Sequence, residues 1–374
     1  MLNDLKIELS IAFIVSFLIA LIIIIRFAFN TSKSIKRNDM QAVQASHVTP
    51  VARIGGLSVF IALVLVAIPY LESRNIWLSY PLLLLSAFPV FIVGFCEDLG
   101  YFSSPRLRLM TAVLSGVVFL VLFEQWLPRT DIPGLDFAMQ WAPIGIGFSL
   151  FFAAGISHAF NLIDGLNGLT SFIAIGVALS LALISHQLGL VEHRDVLLIL
   201  ISAISGFLIF NFPLGKIFLG DGGAYAIGHI LIWMAISILR SAPAVTPLAM
   251  LLIFFYPVAD TLLAIMRRLY LGAPISHPDR LHFHQLIMRG IEIVVLGRNR
   301  RYISNPLATV LILPLAFSPM LAGILLVLDR NKAMIALLLF GALFFMVYKI
   351  SIWIIPQFRS FERFKRPVQR TNRY

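Results

Sequence analysis

Leu9-Ser10-Ile11-Ala12-Phe13-Ile14-Val15-Ser16-Phe17-Leu18-Ile19-Ala20-Leu21-Ile22-Ile23-Ile24-Ile25-Arg26-Phe27-Ala28-Phe29 carries a single charge along its whole length. A helix rises about 1.5 Å per residue, so a run of this length crosses the roughly 30 Å of hydrocarbon in a bilayer. The run has no basic segment before it and no small-residue cleavage site after it. It is also too long for the apolar part of a signal peptide, and is read as a retained anchor. The rest of the chain repeats the pattern. Of 374 residues, 59% are hydrophobic and 13% charged, whereas an ordinary soluble domain carries about 25% charged residues. A very apolar soluble core would need short helices with polar faces. Here the apolar runs are long and the polar residues gather between them. The single cysteine, Cys96, excludes disulfides within the chain and thiolate metal sites.

Counting runs of this kind predicts an all-α polytopic membrane protein of about eleven transmembrane helices, at 9–29, 51–71, 76–96, 107–125, 141–160, 168–186, 194–212, 222–240, 245–268, 303–328 and 333–355. Residues 1–374 read as one transmembrane domain, with a polar loop at about 269–302 and a basic tail at 356–374. Pro81, Pro89 and Pro257 fall inside spans and are expected to bend them. Twenty Lys and Arg residues lie on one side, among them Lys36, Arg53, Arg106, Lys216, Arg267, Arg280 and the tail, against seven on the other, including Arg74, Arg129 and Arg240. Basic residues concentrate on the cytoplasmic side, so the bias predicts an outside N-terminus and a cytoplasmic C-terminus. The net charge of +11 then belongs to a membrane surface and an anionic substrate rather than to nucleic acid.

On that side, four loops carry acids or histidines at span ends. Glu97-Asp98 closes an apolar run, and two adjacent carboxylates there either meet water, a cation or a substrate, or mark the membrane boundary. Asn161-Leu162-Ile163-Asp164-Gly165-Leu166-Asn167-Gly168 spaces polar side chains by three, with glycines that let backbone approach a ligand; a plain turn is the simpler reading. Lys216-Ile217-Phe218-Leu219-Gly220-Asp221-Gly222-Gly223 sets an aspartate among glycines at a helix start. That suits a metal–phosphate group, or a helix cap alone. His277-Pro278-Asp279-Arg280-Leu281-His282-Phe283-His284-Gln285 offers two histidines with no third nitrogen or sulfur ligand nearby. The acids are hard oxygen donors and favour magnesium or manganese over zinc, which leaves the histidines to contact phosphate or orient it. Asp260, inside a span after Pro257, is either a functional residue or a partner of Arg267 or Arg268.

In this order, these loops resemble those of the polyprenyl-phosphate N-acetylhexosamine-1-phosphate transferases, a family that includes the phospho-N-acetylmuramoyl-pentapeptide transferase of peptidoglycan synthesis. The likeness runs from His47 to Arg289. His47 through Gly55-Gly56 is similar to the first motif, with Ala52 where proline is usual. Glu97-Asp98 stands for an aspartate pair, Asn161 and Asp164 for an Asn-x-x-Asp-Gly motif whose second aspartate is Asn167, and Lys216 to Asp221 for a basic–x–Phe–x–Gly–Asp motif followed by Ala224 instead of serine. Asp279-Arg280 and His282-x-His284 resemble the histidine loop, with Gln285 replacing a further histidine.

The resemblance implies transfer of N-acetylhexosamine-1-phosphate from a UDP-sugar to undecaprenyl phosphate at the cytoplasmic face of a bacterial inner membrane. UMP is released and synthesis of a cell-envelope polysaccharide begins. It assigns Asp98, Glu97 and Asp164 to catalysis, and Asp221 and Asp164 to Mg2+, with Mn2+ as the alternative. Asn161, Asn211, Lys216, Arg280, His282, His284 and His47 fall to substrate binding. The implied partners are UDP-N-acetylhexosamine, undecaprenyl phosphate and membrane lipid, without nucleic acid; a homodimer is a further expectation. Glu97 and Asn167 also motivate an alternative, an impaired relative serving as a binding or assembly subunit. A lipid-linked transporter would place its charges at mid-membrane and show internal repeats, and no convincing repeat is found.

Overall fold

The computed structural model describes residues 5–30, 51–74, 79–101, 104–270, 272, 282–297 and 300–365. In chain order the helices are α1 (Lys6–Asn30), α2 (Gly56–Arg74), α3 (Ser79–Asp98), α4 (Pro105–Phe123), α5 (Pro133–Met139), α6 (Ala142–Leu162), α7 (Leu169–Gln187), α8 (Val191–Asn211), α9 (Gly220–Ser241), α10 (Pro247–Ile253), α11 (Phe255–Tyr270), α12 (Phe283–Ile291), α13 (Arg301–Leu325) and α14 (Arg330–Lys365). Among the described residues there is no strand, only an isolated parallel bridge between Ala52 and Ile217.

Among the described residues, nine of these helices are long and apolar enough to cross a membrane, and the α10–α11 pair makes a tenth if counted as one bent span. In α2 the apolar part is the shorter Gly56–Ile68. Large apolar side chains stay exposed along the outer helices, such as Ile22 and Phe29 on α1, Val121 on α4 and Leu338 and Leu339 on α14. Water would penalise such a surface, and lipid does not. The protein is therefore an all-α polytopic membrane protein.

The span expected at 245–268, with a bend at Pro257, is broken into two helices. α10 and α11 meet at 82°, and the reason is local. Phe254 leaves the helical region, and Pro257 then falls in the first turn of α11, where the missing N–H has no intrahelical role. The proline starts a new helix instead of kinking an old one. Pro81 likewise sits in the first turn of α3, whereas Pro89 lies inside it. Beside Pro89, the Val90 N–H donates to Ser115 Oγ of α4 at 3.0 Å, so a neighbouring helix satisfies the disturbed backbone.

Two further expectations change. The interval 269–302 is not polar throughout. It contains α12 and a π-helical turn over Glu292–Leu296, and α12 buries Phe283, Leu286, Met288 and Ile291. The basic tail begins as a continuation of α14, which runs to Lys365.

At the centre stands α9, buried along nearly all its length and packed against α2, α3, α4, α6 and α7. Gly220, Gly222 and Gly223 surround Asp221 at its start because backbone meets backbone there. A Cβ on Gly94 of α3 would come within 2.5 Å of the Gly222 nitrogen, and one on Gly56 of α2 within 2.3 Å of the Gly223 Cα. The start of α9 is thus wedged between α2 and α3. Chain 52–56 is zipped to chain 217–219: Phe218 N–H donates to Ala52 O (2.9 Å), Gly55 N–H to Phe218 O (2.8 Å) and Gly56 N–H to Leu219 O (2.6 Å).

Candidate active site

Asp221 is the second residue of α9 and lies half-buried where the wedge opens. Its Oδ1 accepts from Asn161 Nδ2 of α6 at 2.8 Å and lies 3.8 Å from Arg53 Nη2. From α3, Asp98 reaches across with both oxygens: Oδ1 accepts the Asp221 N–H at 2.9 Å and Oδ2 the Gly222 N–H at 3.0 Å. These are orphan donors of a helix start, and a carboxylate is the group that the helix dipole favours there. The approach needs glycine at 220, which has φ +77° and where a Cβ would fall 1.9 Å from Arg53 O and 2.5 Å from Asp98 Oδ2.

The expectation that Glu97 and Asp98 face water or a ligand therefore changes. Asp98 is directed at the α9 backbone, and Glu97 Oε1 accepts from Arg108 Nη1 of α4 at 3.1 Å. The geometry gives Asp98 a positioning role: it fixes the backbone that carries Asp221.

Asp164 follows in the turn after α6. Burial raises its carboxyl to about 7, Thr170 and Arg53 draw it partly back, and the charge of Asp221 adds to the rise. Two carboxylates that repel each other through a poorly hydrated turn are a donor set that a divalent cation relieves. Among the described residues no group of three His, Cys, Asp or Glu converges on a metal position. Magnesium does not need one, since it commonly takes one or two carboxylates and completes its shell with water and substrate phosphate. Asp164 and Asp221 fit that pattern.

Asn167, where the resembling family has aspartate, is 5% exposed and bonded to the scaffold through its Nδ2 and both backbone groups, while its Oδ1 has no partner among the described residues. Its Nδ2 donates to Pro213 O (2.9 Å), its N–H to Asn305 Oδ1 (2.7 Å), and its carbonyl accepts from Thr309 Oγ1 (2.8 Å). The residue ties the α6–α7 turn to the α8–α9 loop and to α13. Asn211, expected to contact substrate, is 4% exposed. Its Oδ1 accepts from Gly168 N–H (2.8 Å) and its Nδ2 donates to Ile217 O (2.7 Å), so both ends of its amide are spent on backbone. That is a scaffold role. Lys216 stays exposed.

His282 and His284 converge because His282 caps α12 with an extended ψ and His284 lies in its first turn, so their spacing is read neither as strand nor as helix. Asp260 of α11 orients them. Its Oδ2 accepts from His282 Nδ1 at 3.0 Å and lies 3.5 Å from His284 Nδ1, while its Oδ1 accepts the Phe283 N–H at 2.8 Å. Asp260 thus pairs with the histidines, and Arg267 instead reaches Tyr348 of α14. His284 packs on the Asp164-Gly165 turn, where a Cβ at Gly165 would lie 2.6 Å from its Nε2. Burial lowers His284 from its ordinary value while Asp260 opposes the shift. Among the described residues the Nε2 atoms of both histidines have no partner, and a buried polar nitrogen without a partner calls for a ligand or water. His47 and Arg280 lie outside the described residues.

Glu97, Asp98, Asn161, Asp164, Asp221, His282 and His284 thus gather at one end of the bundle. Sequence reasoning gave no role to Arg53, Asn305 or Thr309. Asn305 and Thr309 are polar residues inside an apolar run, which is the signal that could have found them.

Residues 80–239 match the model of "Glycosyl transferase family 4". A probable undecaprenyl-phosphate N-acetylglucosaminyl 1-phosphate transferase of Bacillus subtilis is 28% identical over 292 residues, covering 77% of this chain and 79% of that protein. A decaprenyl-phosphate N-acetylglucosaminephosphotransferase of Mycobacterium tuberculosis is 28% identical over 279 residues, 65% of this chain and 67% of its own length. A phospho-N-acetylmuramoyl-pentapeptide-transferase of Thermotoga petrophila is 29% identical over 214 residues, 52% of this chain and 67% of its own.

Proposed function

We infer that this chain, a member of the glycosyl transferase family 4 superfamily of phosphotransferases, transfers an N-acetylhexosamine-1-phosphate from a UDP-sugar to undecaprenyl phosphate, releasing UMP. The observation that carries the reading is the Asp221–Asn161–Asp164 cluster at the glycine-lined start of α9, with His284 Nε2, which has no partner among the described residues, against the Asp164-Gly165 turn and the His282 ring stacked beside His284. We place this end of the bundle at the cytoplasmic face of a bacterial inner membrane, with the N-terminus outside. The excess of Lys and Arg on that side supports the orientation.

Attack of one phosphate on another brings two anions together, and the residues present meet that demand in parts. Asp221 and Asp164 would hold magnesium, which when bound screens the repulsion and stabilises the departing nucleotide phosphate. Asp98 keeps the first N–H groups of α9, and with them Asp221, in place. Asp260 holds the His282 ring so that Nε2 is presented to a phosphate oxygen. Arg53 and Lys216 supply positive charge at the mouth. At neutral pH the acceptor phosphate is largely ionised, so alignment matters more than removal of a proton. The bond from Asn167 Nδ2 to Pro213 O gives an asparagine at this position a structural use of its own, which weakens the reading of an impaired relative.

Purified protein with magnesium and a panel of UDP-N-acetylhexosamines tests the proposal. UMP release that depends on undecaprenyl phosphate is expected with at least one sugar. Release with none of the panel would refute it.

A further inference from the structure

The cluster around Asp221 draws on α3, α6, α9, α11 and α12, and nothing in the scheme above uses α14. Most of α14 faces outward: Leu338, Leu339, Phe345, Met346 and Trp353 are all exposed. Along its described part only Ala333, Phe344 and Tyr348 are buried. Phe344 and Tyr348 are one turn apart and share a face. A helix kept for stability alone would bury a stripe of large side chains along its whole length. Here the large buried side chains are confined to the level of the histidine loop.

The elements they touch are the ones that aim the histidines. α11 leaves α10 at 82°, so the packing that fixes α10 does not fix Asp260. Tyr256, Asp260 and Arg267, four and seven positions apart, lie on one face of α11. Phe344 meets the start of that face, edge-on to Phe255 and Tyr256, with ring centroids 5.9 and 6.0 Å away and planes at 90° and 89°. Tyr348 meets its far end, where its hydroxyl accepts from Arg267 Nη1 and its ring centroid lies 5.8 Å from the guanidinium. Asp260 is thus held from both ends of its own face. Phe344 also reaches α12, with its ring centroid 5.0 Å from that of Phe283. Phe283 stands between the two histidines, and its N–H is the donor to Asp260 Oδ1. One ring therefore braces both elements that the Asp260–Phe283 bond joins.

We propose that Phe344 and Tyr348 are positioning residues, and that α14 is a brace holding Asp260 and Phe283 in register. Through them it keeps His284 against the Asp164-Gly165 turn, with His282 stacked beside it. The assignment rests on the transferase reading, in which these rings meet substrate phosphate. Both links to α11 are made by long side chains, so truncating one breaks the brace without moving a helix that lines the site.

Hydrogen exchange read by mass spectrometry, on the full-length protein in lipid nanodiscs, tests the brace without reference to activity. Phe344→Ala is expected to lose amide protection across Phe283–Ile291, and the exposed neighbour Phe345→Ala to keep it. Steady-state kinetics then reads the consequence. A shift of about an ångström at reacting groups costs up to about a hundredfold, so kcat/KM for the UDP-sugar should fall roughly tenfold to a hundredfold in Phe344→Ala. KM for undecaprenyl phosphate should not change. Phe344→Leu keeps most of the volume and should fall between, which preserves the test if the alanine variant fails to fold. In an Asp260→Asn background the Phe344→Ala loss should largely vanish, because two residues acting through one group are not additive. Native protection or native kcat/KM in a folded Phe344→Ala protein overturns the brace, as does a loss that adds in full to that of Asp260→Asn. Lost protection in the variant, with no transfer even by the native protein, leaves the brace standing and sinks the transferase reading. Transfer at the native rate by both Phe344 variants does the reverse.

Discussion

Replacing Asn167 with aspartate restores the residue usual in the resembling family, and the structure predicts that it harms this protein. The Asn167 amide donates to Pro213 O at 2.9 Å from a site 5% exposed. An ionised carboxylate there loses that bond, worth about 1 kcal/mol net, and leaves the Pro213 carbonyl facing a negative oxygen, worth about 1–3 kcal/mol more. The expected destabilisation is thus about 2–4 kcal/mol. Its pH dependence has a definite sign. A protonated carboxyl can donate to Pro213 O as the amide does, so folding favours the neutral form and raises the new group above the ordinary value of about 3.9. Stability therefore stays near that of the native protein below the unfolded value and is lost as pH rises toward the folded one. Thermal unfolding of purified Asn167→Asp across that range measures the effect. Asn167→Ala serves as the control, losing the bond without acquiring a titrating group. An Asn167→Asp protein as stable as the native one at about pH 8, with tighter magnesium dependence, would refute the reasoning and put residue 167 in the metal site.

Three further outcomes are expected. Asp260→Asn removes the carboxylate that orients His282 and His284, and kcat/KM for the UDP-sugar should fall roughly tenfold to a hundredfold, as for other orienting groups; steady-state kinetics with unchanged values would sever the histidines from the substrate. Asp164, raised to about 7, binds a proton and a cation in competition, so the magnesium needed for half-maximal activity should drop as pH rises from about 6 to about 8; a flat requirement would remove Asp164 from the metal site. Gly220→Ala places a Cβ 1.9 Å from Arg53 O at φ +77°, and the left-handed backbone alone costs about 1–2 kcal/mol. The variant should yield little monodisperse protein in detergent, and a normal yield would mean that the α9 start tolerates a shift away from Asp98.

Much of the fold is legible in the sequence because lipid imposes a simple demand, a long run of apolar side chains. The limits are equally physical. The break between α10 and α11 hangs on whether Pro257 falls in the middle of a helix or in the first turn of a new one, and apolarity is indifferent to that. α12 was hidden because Phe283, Leu286 and Ile291 share a short stretch with the polar residues of the histidine loop. For the site, the residue types were readable and the pairings were not. Asp98 and Asp221 stand 123 positions apart, and only the packing of α3 on the glycines of α9 turns Asp98 toward the backbone. Asn167 and Asn211 look like ligands by their motifs, yet both serve the scaffold. Asp260 left two readings open in the sequence, and burial with His282 chose neither arginine.

The central claim is that Asp221, held at the start of α9, is part of a metal–phosphate site for sugar-phosphate transfer. Following labelled sugar phosphate from UDP-N-acetylglucosamine, or whichever UDP-sugar the panel identifies, into undecaprenyl phosphate with purified native and Asp221→Asn protein tests it most directly. The account predicts magnesium-dependent labelling by the native protein and a loss of at least about a hundredfold in a folded Asp221→Asn variant, as expected when a group that stabilises transition-state charge is removed. Labelling at the native rate by that variant would contradict it.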